Sequence, residues 1–258
     1  DAYRDYMART TAFIPARRAE PGPMSSDRNV RLIRARALLL PWAVLYLVFR
    51  AHRRAMWWAS LFTTPFGFTE PLFVPAYWNP PSLFDLAQRT GFDIESLIFC
   101  FGIGGVAAVL YDVASRRFPI PVGDVERGAS RHRHHRLALA APFVVFALLY
   151  PLPWNPIYPG IIAMATGAVA TALCRPDLLT KSWVGGLLFF VYYSLFLTGL
   201  EWSAPGYVQR VWNLDALSGL VLFHMPLEEL LFAAAFGLYW SGVYEHFTWR
   251  RPTLPGAQ

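Results

Sequence analysis

The chain has 258 residues, 55% of them hydrophobic and only 16% charged, with a formal net charge of +6; a soluble domain carries about a quarter charged residues. That balance excludes an ordinary soluble domain and a disordered chain. Apolar runs recur along the whole length, as in a multi-pass membrane protein with room for about seven spans of ~20 residues. The positive charge is not a nucleic-acid footprint, because the arginines fall in loops between apolar runs, where basic cytoplasmic loops account for them.

In chain order, residues 1–30 read as a polar, disordered tail. Residues 1–23 hold no apolar segment of a secretory signal, and Met24 would serve as a start. Seven spans follow, at 32–49, 55–74, 93–113, 136–153, 157–174, 182–201 and 217–243. The links after the first, third and fifth are basic, carrying Arg50, Arg53 and Arg54, then Arg116, Arg117, Arg127, Arg131, Arg133 and Arg136, then Arg175 and Lys181, the single lysine. The other links are poor in base and rich in aromatic residues and proline, as in Val74-Pro75-Ala76-Tyr77-Trp78-Asn79 and Tyr207-Val208-Gln209-Arg210-Val211-Trp212-Asn213. Charge asymmetry therefore predicts an inner-membrane protein with its N-terminus outside and its C-terminus cytoplasmic, although Arg28, Arg31, Arg34 and Arg36 oppose that orientation.

The stretch Pro226-Leu227-Glu228-Glu229-Leu230-Leu231-Phe232 sets two carboxylates at the mouth of an apolar segment, where charge is costly and usually kept for function. It has a weaker twin in Asp93-Ile94-Glu95-Ser96-Leu97-Ile98-Phe99. Glu95 and Glu228, Phe99 and Phe232, Gly104 and Gly237, Tyr111 and Tyr244, and Asp112 and Glu245 are each 133 positions apart. The chain thus reads as an all-α bundle of two parallel three-span repeats, 31–114 and 157–246, joined by a basic loop and connecting span at 115–156 and followed by a tail at 247–258.

Topology predicts that Glu70, Glu95, Glu201, Glu228 and Glu229 share one membrane face. Helical spacing aligns Glu95 with Phe99, Gly102 and Val106, and Glu228 with Phe232, Ala235 and Tyr239. Two such stripes would face each other across an apolar cleft topped by acids, with Trp78, Trp212 and His224 nearby. A neutral carboxylic acid there is competent to protonate an alkene, and a second carboxylate and aromatic faces would hold the resulting cation. Asp93, Asp85 and Asp215 read as caps, and Cys100 and Cys174 as small core residues. Gly102-Ile103-Gly104-Gly105 reads as close helix packing rather than a nucleotide loop. The run Arg131-His132-Arg133-His134-His135-Arg136 reads as a basic flank rather than a metal site, and no cofactor or metal is expected.

At these motifs the chain resembles the integral-membrane lycopene cyclases, which include the bacterial two-subunit type and the cyclase part of the fused fungal enzyme. The repeated unit of that family ends in proline–x–Glu–Glu before an apolar helix with phenylalanine, the pattern of residues 226–232. Residues 70–79 and 201–213 are similar to its acid and Trp/Asn link, and the resemblance covers roughly 32–246. The first motif lacks both the proline and the second acid, as in a divergent single chain with both repeats. The resemblance implies a cofactor-independent isomerase (an intramolecular lyase) that closes a ring at the end of a linear carotenoid such as lycopene. Glu228 and Glu229 become acid and base, with Glu95 as their counterpart. Expected partners are the bilayer, a lipophilic linear isoprenoid, and a second copy or other carotenoid-pathway enzymes. Two other readings are a proton-coupled carrier and a non-catalytic membrane protein keeping the fold; acids confined to one leaflet argue against the carrier.

Overall fold

The computed structural model describes residues 39–254 apart from 81, 83 and 85. The polar tail and the predicted cap Asp85 lie outside them. The described chain is mostly helical, with two small two-stranded sheets that an all-α reading did not include. The main helices are α1 (Leu39–Val48), α2 (Arg53–Thr63), α3 (Ile94–Ser115), α4 (His135–Leu149), α5 (Ile157–Cys174), α6 (Leu179–Ser203), α7 (Leu227–Trp240) and α8 (Val243–Thr248).

Among the described residues, three helical stretches are long and apolar enough to cross a membrane: Ile94–Ser115, Ile157–Cys174 and Pro176–Ser203. The other predicted spans have shorter or broken helices for local reasons. Past Thr63 the second span tightens into a 3-10 helix, Thr64–Leu72, which contains Pro65 and Pro71; proline removes α-helical hydrogen bonds. The seventh was expected to be helical from 217, but its first part is a hairpin. Strands β2 (Val221–Leu222) and β3 (Met225–Pro226) pair antiparallel around Phe223 and His224, which have φ of 51° and 64°. A two-residue turn with both φ positive matches the twist of a hairpin. The helix therefore begins only after Pro226, where a proline is tolerated.

Helix α3 starts where Asp93 caps it by accepting from the Ser96 N–H at 2.6 Å, as expected of that aspartate. It ends at Arg116, which adopts the left-handed conformation (φ 53°) common after a helix. Its glycines serve close packing: a Cβ at Gly104 would sit 1.8 Å from Thr63 Oγ1 of α2. Gly237, at the matching place 133 residues on, lets α7 meet α6, where a Cβ would lie 2.8 Å from the Gly186 carbonyl oxygen. The core is aromatic and aliphatic, centred on Phe189, Tyr193, Phe236 and Tyr239 with Ile103 and Ala107. Large apolar side chains remain exposed on the outward sides of α4 and α6, among them Leu137, Phe143, Leu148, Leu187, Leu195 and Trp183; contiguous exposure of this kind marks a lipid or partner face.

The two ends of the bundle differ. At one, the links rich in aromatic residues pair with each other: Trp78 and Trp212 form an antiparallel bridge, and the N–H groups of Asn79 and Asn213 donate to the Val211 and Tyr77 carbonyls. At the other, Lys181 is fully buried between Asp112 and Glu245, 2.7 Å from each. Burial pushes the Glu245 carboxyl, which lies beyond the seventh predicted span, up to about 7 against the pull of Lys181. Arg175 is buried nearby on Asp177, and strand β1 (Phe118–Pro121) pairs with β4 (Arg250–Thr253) to tie the tail to the basic loop.

Candidate active site

A cavity of about 330 Å³ opens at the aromatic end, between the 3-10 segment, α3, α4, α5 and α7. Its wall is almost wholly apolar; Phe66, Phe99, Phe143, Phe232 and Trp240 are typical of it, and Glu70 and Glu229 are its two acids. Its volume is at the small end of ligand sites, enough to take one end of a long chain. Phe66 and Phe143 stack at 6.1 Å on the side where α4 faces outward, and both are partly exposed. The cavity thus communicates sideways with the apolar flank of the bundle.

Glu229 is buried on the second residue of α7 beyond Leu227 and is held by three side-chain donors. Tyr77 and Tyr193 donate their hydroxyls, the latter at 2.9 Å, and Trp212 donates its indole N–H at 2.8 Å. Those donors come from the first aromatic link, the middle of α6 and the second aromatic link. Several donors converging on one carboxylate stabilise its charged form. Glu70 differs. One oxygen accepts the Asp93 N–H at 2.7 Å, and the other is buried without a hydrogen-bond partner among the described residues. The Asp93 carboxyl and the Ser96 hydroxyl stand beside this side chain as well.

The remaining predicted residues are placed as follows. Phe99, Phe232, Tyr239 and Trp78 line the cavity, while Trp212 lies behind the wall, bonded to Glu229 and with its ring 6.0 Å from that of Trp78. The two helical stripes meet through Tyr193, whose ring lies 6.2 Å from Phe99 and 5.8 Å from Phe232. Glu228, one helical step of about 100° from Glu229, turns to a different set of partners. Its Oε1 accepts from the Tyr158 hydroxyl at 2.7 Å and the Ser218 N–H at 2.8 Å, fastening the hairpin loop and α5 to the start of α7. Glu201 accepts from the N–H groups of Gly206 and Val208 and so closes the turn after α6. Glu95 is half-buried in the first turn of α3 and is not part of the cavity wall. His224 is exposed at the hairpin turn.

The sequence reading did not single out the three tyrosines. Tyr77 stood beside the chosen Trp78. Tyr193 completes an aromatic run on one face of α6, with Phe189 four residues before it and Phe196 three after. Tyr158 carried no such signal.

No curated protein and no solved structure matches the chain. Residues 155–247, which hold α5 to α7 with Tyr193, Trp212, Glu228 and Glu229, match the family model described as lycopene cyclase.

Proposed function

We propose that the protein is a membrane-embedded carotenoid cyclase that closes a ring at the end of a linear isoprenoid such as lycopene, without net oxidation or reduction. The observation that carries this reading is the pair of unlike carboxyls in one apolar, ring-lined cavity, within reach of a match to the lycopene cyclase family. The substrate end slides in from the bilayer past Phe66 and Phe143. Glu70, as the neutral acid, donates its proton to the terminal double bond and leaves a tertiary cation. The next double bond attacks that cation, forming the ring bond and moving the positive charge into the ring. The Glu229 carboxylate, kept ionised by Tyr77, Tyr193 and Trp212, stabilises the cation together with the faces of Phe99, Phe232 and Tyr193. Loss of a ring proton to the Glu70 carboxylate forms the ring alkene and restores the acid, so the product is an isomer of the substrate. In this scheme Glu229 supplies electrostatic stabilisation and Glu228 holds the start of α7 in place.

The chain is read here as two three-span repeats in a multi-pass inner-membrane arrangement with the basic end cytoplasmic. The contrast between the acidic aromatic end and the arginine-rich end supports that orientation. The test is expression in cells that accumulate lycopene, with extracted pigments separated by chromatography. Monocyclic or bicyclic products are expected. Unchanged lycopene, with folded protein in the membrane, would refute lycopene as substrate, and failure with other linear isoprenoids would refute the cyclase.

A further inference from the structure

At the end of the bundle opposite the cavity, three elements far apart in sequence bring nitrogen and sulfur donors together. His135 opens α4, Cys174 ends α5 and His246 lies in α8. One donor atom from each lies within 4.8 Å of the others. His135 Nδ1 is 3.5 Å from Cys174 Sγ. In a tetrahedral zinc site with Zn–S near 2.3 Å and Zn–N near 2.05 Å, a nitrogen and a sulfur ligand stand about 3.6 Å apart, so this edge already has the right length.

His246 is fully buried, and its two ring nitrogens have different surroundings. Nδ1 is 3.0 Å from Thr171 Oγ1, whereas Nε2 is buried with no hydrogen-bond partner among the described residues. A metal-ligating imidazole is usually oriented in this way, with one nitrogen on a second partner and the other turned to the ion. A buried imidazole nitrogen left bare is costly unless something meets it. His132 is near but differently engaged. Arg131 donates to its Nε2 at 3.0 Å, which leaves Nδ1 as the protonated nitrogen of the neutral ring, facing Cys174 Sγ at 3.8 Å. It is therefore placed to donate to Cys174 Sγ rather than to act as a ligand. The positive charge of Arg175 next to this cluster is met by Asp177, 2.6 Å away.

We propose that His135, Cys174 and His246 form a zinc(II) site, with an open fourth position on the half-exposed His135 side. One thiolate and two imidazoles suit this borderline-soft ion. Closing the longest edge of the donor triangle takes about 1 Å of side-chain movement. Helix α5 is 18 residues long, about 27 Å, and has Ile157 on the cavity at one end and Cys174 here at the other. The ion is therefore remote from the cavity, and its role is to fasten α8 and the tail to α4 and α5. This departs from the expectation of no metal and from the reading of the arginine–histidine run as a flank only.

The test uses the full chain in detergent, purified without chelator and with no polyhistidine tag. Elemental analysis should find about one zinc per chain. Cobalt(II) added to the chelator-stripped protein should give a near-ultraviolet thiolate charge-transfer band. Cys174→Ser should lose both signals, and His246→Gln should lower zinc content to background in protein that still elutes as a single species. Should these variants fail to fold, the wild-type stoichiometry and the cobalt band decide on their own. Wild-type protein without zinc and without the cobalt–thiolate band would overturn the site. Zinc content unchanged in folded Cys174→Ser would overturn it as well.

Discussion

Replacing Glu229 with glutamine tests the cavity most directly, because the geometry separates its effects on folding and on chemistry. The amide oxygen can take the place of Oε1 and still accept from Tyr77 and Trp212. The amide NH₂ then faces Tyr193, whose hydroxyl can rotate to accept. Three hydrogen bonds to a charge become neutral ones, each weaker by about 1 kcal/mol, or about 3 kcal/mol in all. The fold survives, with lower stability. The chemistry loses the fixed negative charge facing the cation, and removal of a single such group costs about 10²–10³ in rate. The assay is ring formation in lycopene-accumulating cells, with product normalised to folded protein in the membrane. Glu228→Gln is the comparator, because a glutamine oxygen can still accept from Tyr158 and Ser218. Its turnover should stay within about tenfold of wild type, below the 10²–10⁴ that a missing catalytic acid or base costs. Wild-type turnover in Glu229→Gln, or a larger loss in Glu228→Gln than in Glu229→Gln, would refute the assignment of these two acids.

Further substitutions test the acid, the buried ion cluster and the helix packing separately. Glu70→Gln removes the proton donor and should lower turnover by about 10²–10⁴ with little change in melting temperature; activity near wild type would end its role as the acid. Lys181→Met strands Asp112 and Glu245 as buried unpaired acids and should cost about 3–5 kcal/mol, read as a fall in thermal midpoint in detergent; adding Asp112→Asn and Glu245→Gln should recover most of the loss. Gly104→Ala puts a methyl into Thr63 and should destabilise by about 1–3 kcal/mol, whereas Gly199→Ala, where a Cβ would meet nothing within 4 Å, should be near neutral in the same melting assay.

Much of the fold was legible because hydropathy reports burial in lipid and protein alike. The fifth predicted span, 157–174, coincides with α5, and the third and sixth match α3 and α6 to within three residues. The seventh misled because Leu220, Val221, Leu222 and Phe223 are as apolar as a span, and hydropathy alone does not separate a short apolar hairpin from a helix. The separation of the aromatic links from the arginine-rich ones followed from link composition, whereas the buried acids Asp112 and Glu245 at the basic end were not anticipated. The choice between Glu228 and Glu229 did not, since neighbours on a helix point about 100° apart and the sequence leaves the helix's rotation open. The 133-residue match of Glu95 with Glu228 drew weight to Glu228, yet the neighbour holds the three donors. The metal candidates were out of reach because Cys174 and His246 stand 39 and 111 residues from His135, with none of the close spacing that marks a zinc motif.

Lys181 has a practical consequence. It is the single primary-amine side chain in the sequence, and its ammonium has no exposure. An acylating reagent aimed at lysine finds no target on the folded protein, and trypsin finds no lysine bond to cut there. Modification at residue 181 therefore reports on opening of the basic end. The growth of that modification with time, followed by peptide mass spectrometry, would give the rate at which α6 lets go of Asp112 and Glu245. A dye or tether wanted on the surface must go elsewhere, and a lysine introduced on an exposed loop would be labelled without competition from any native side-chain amine.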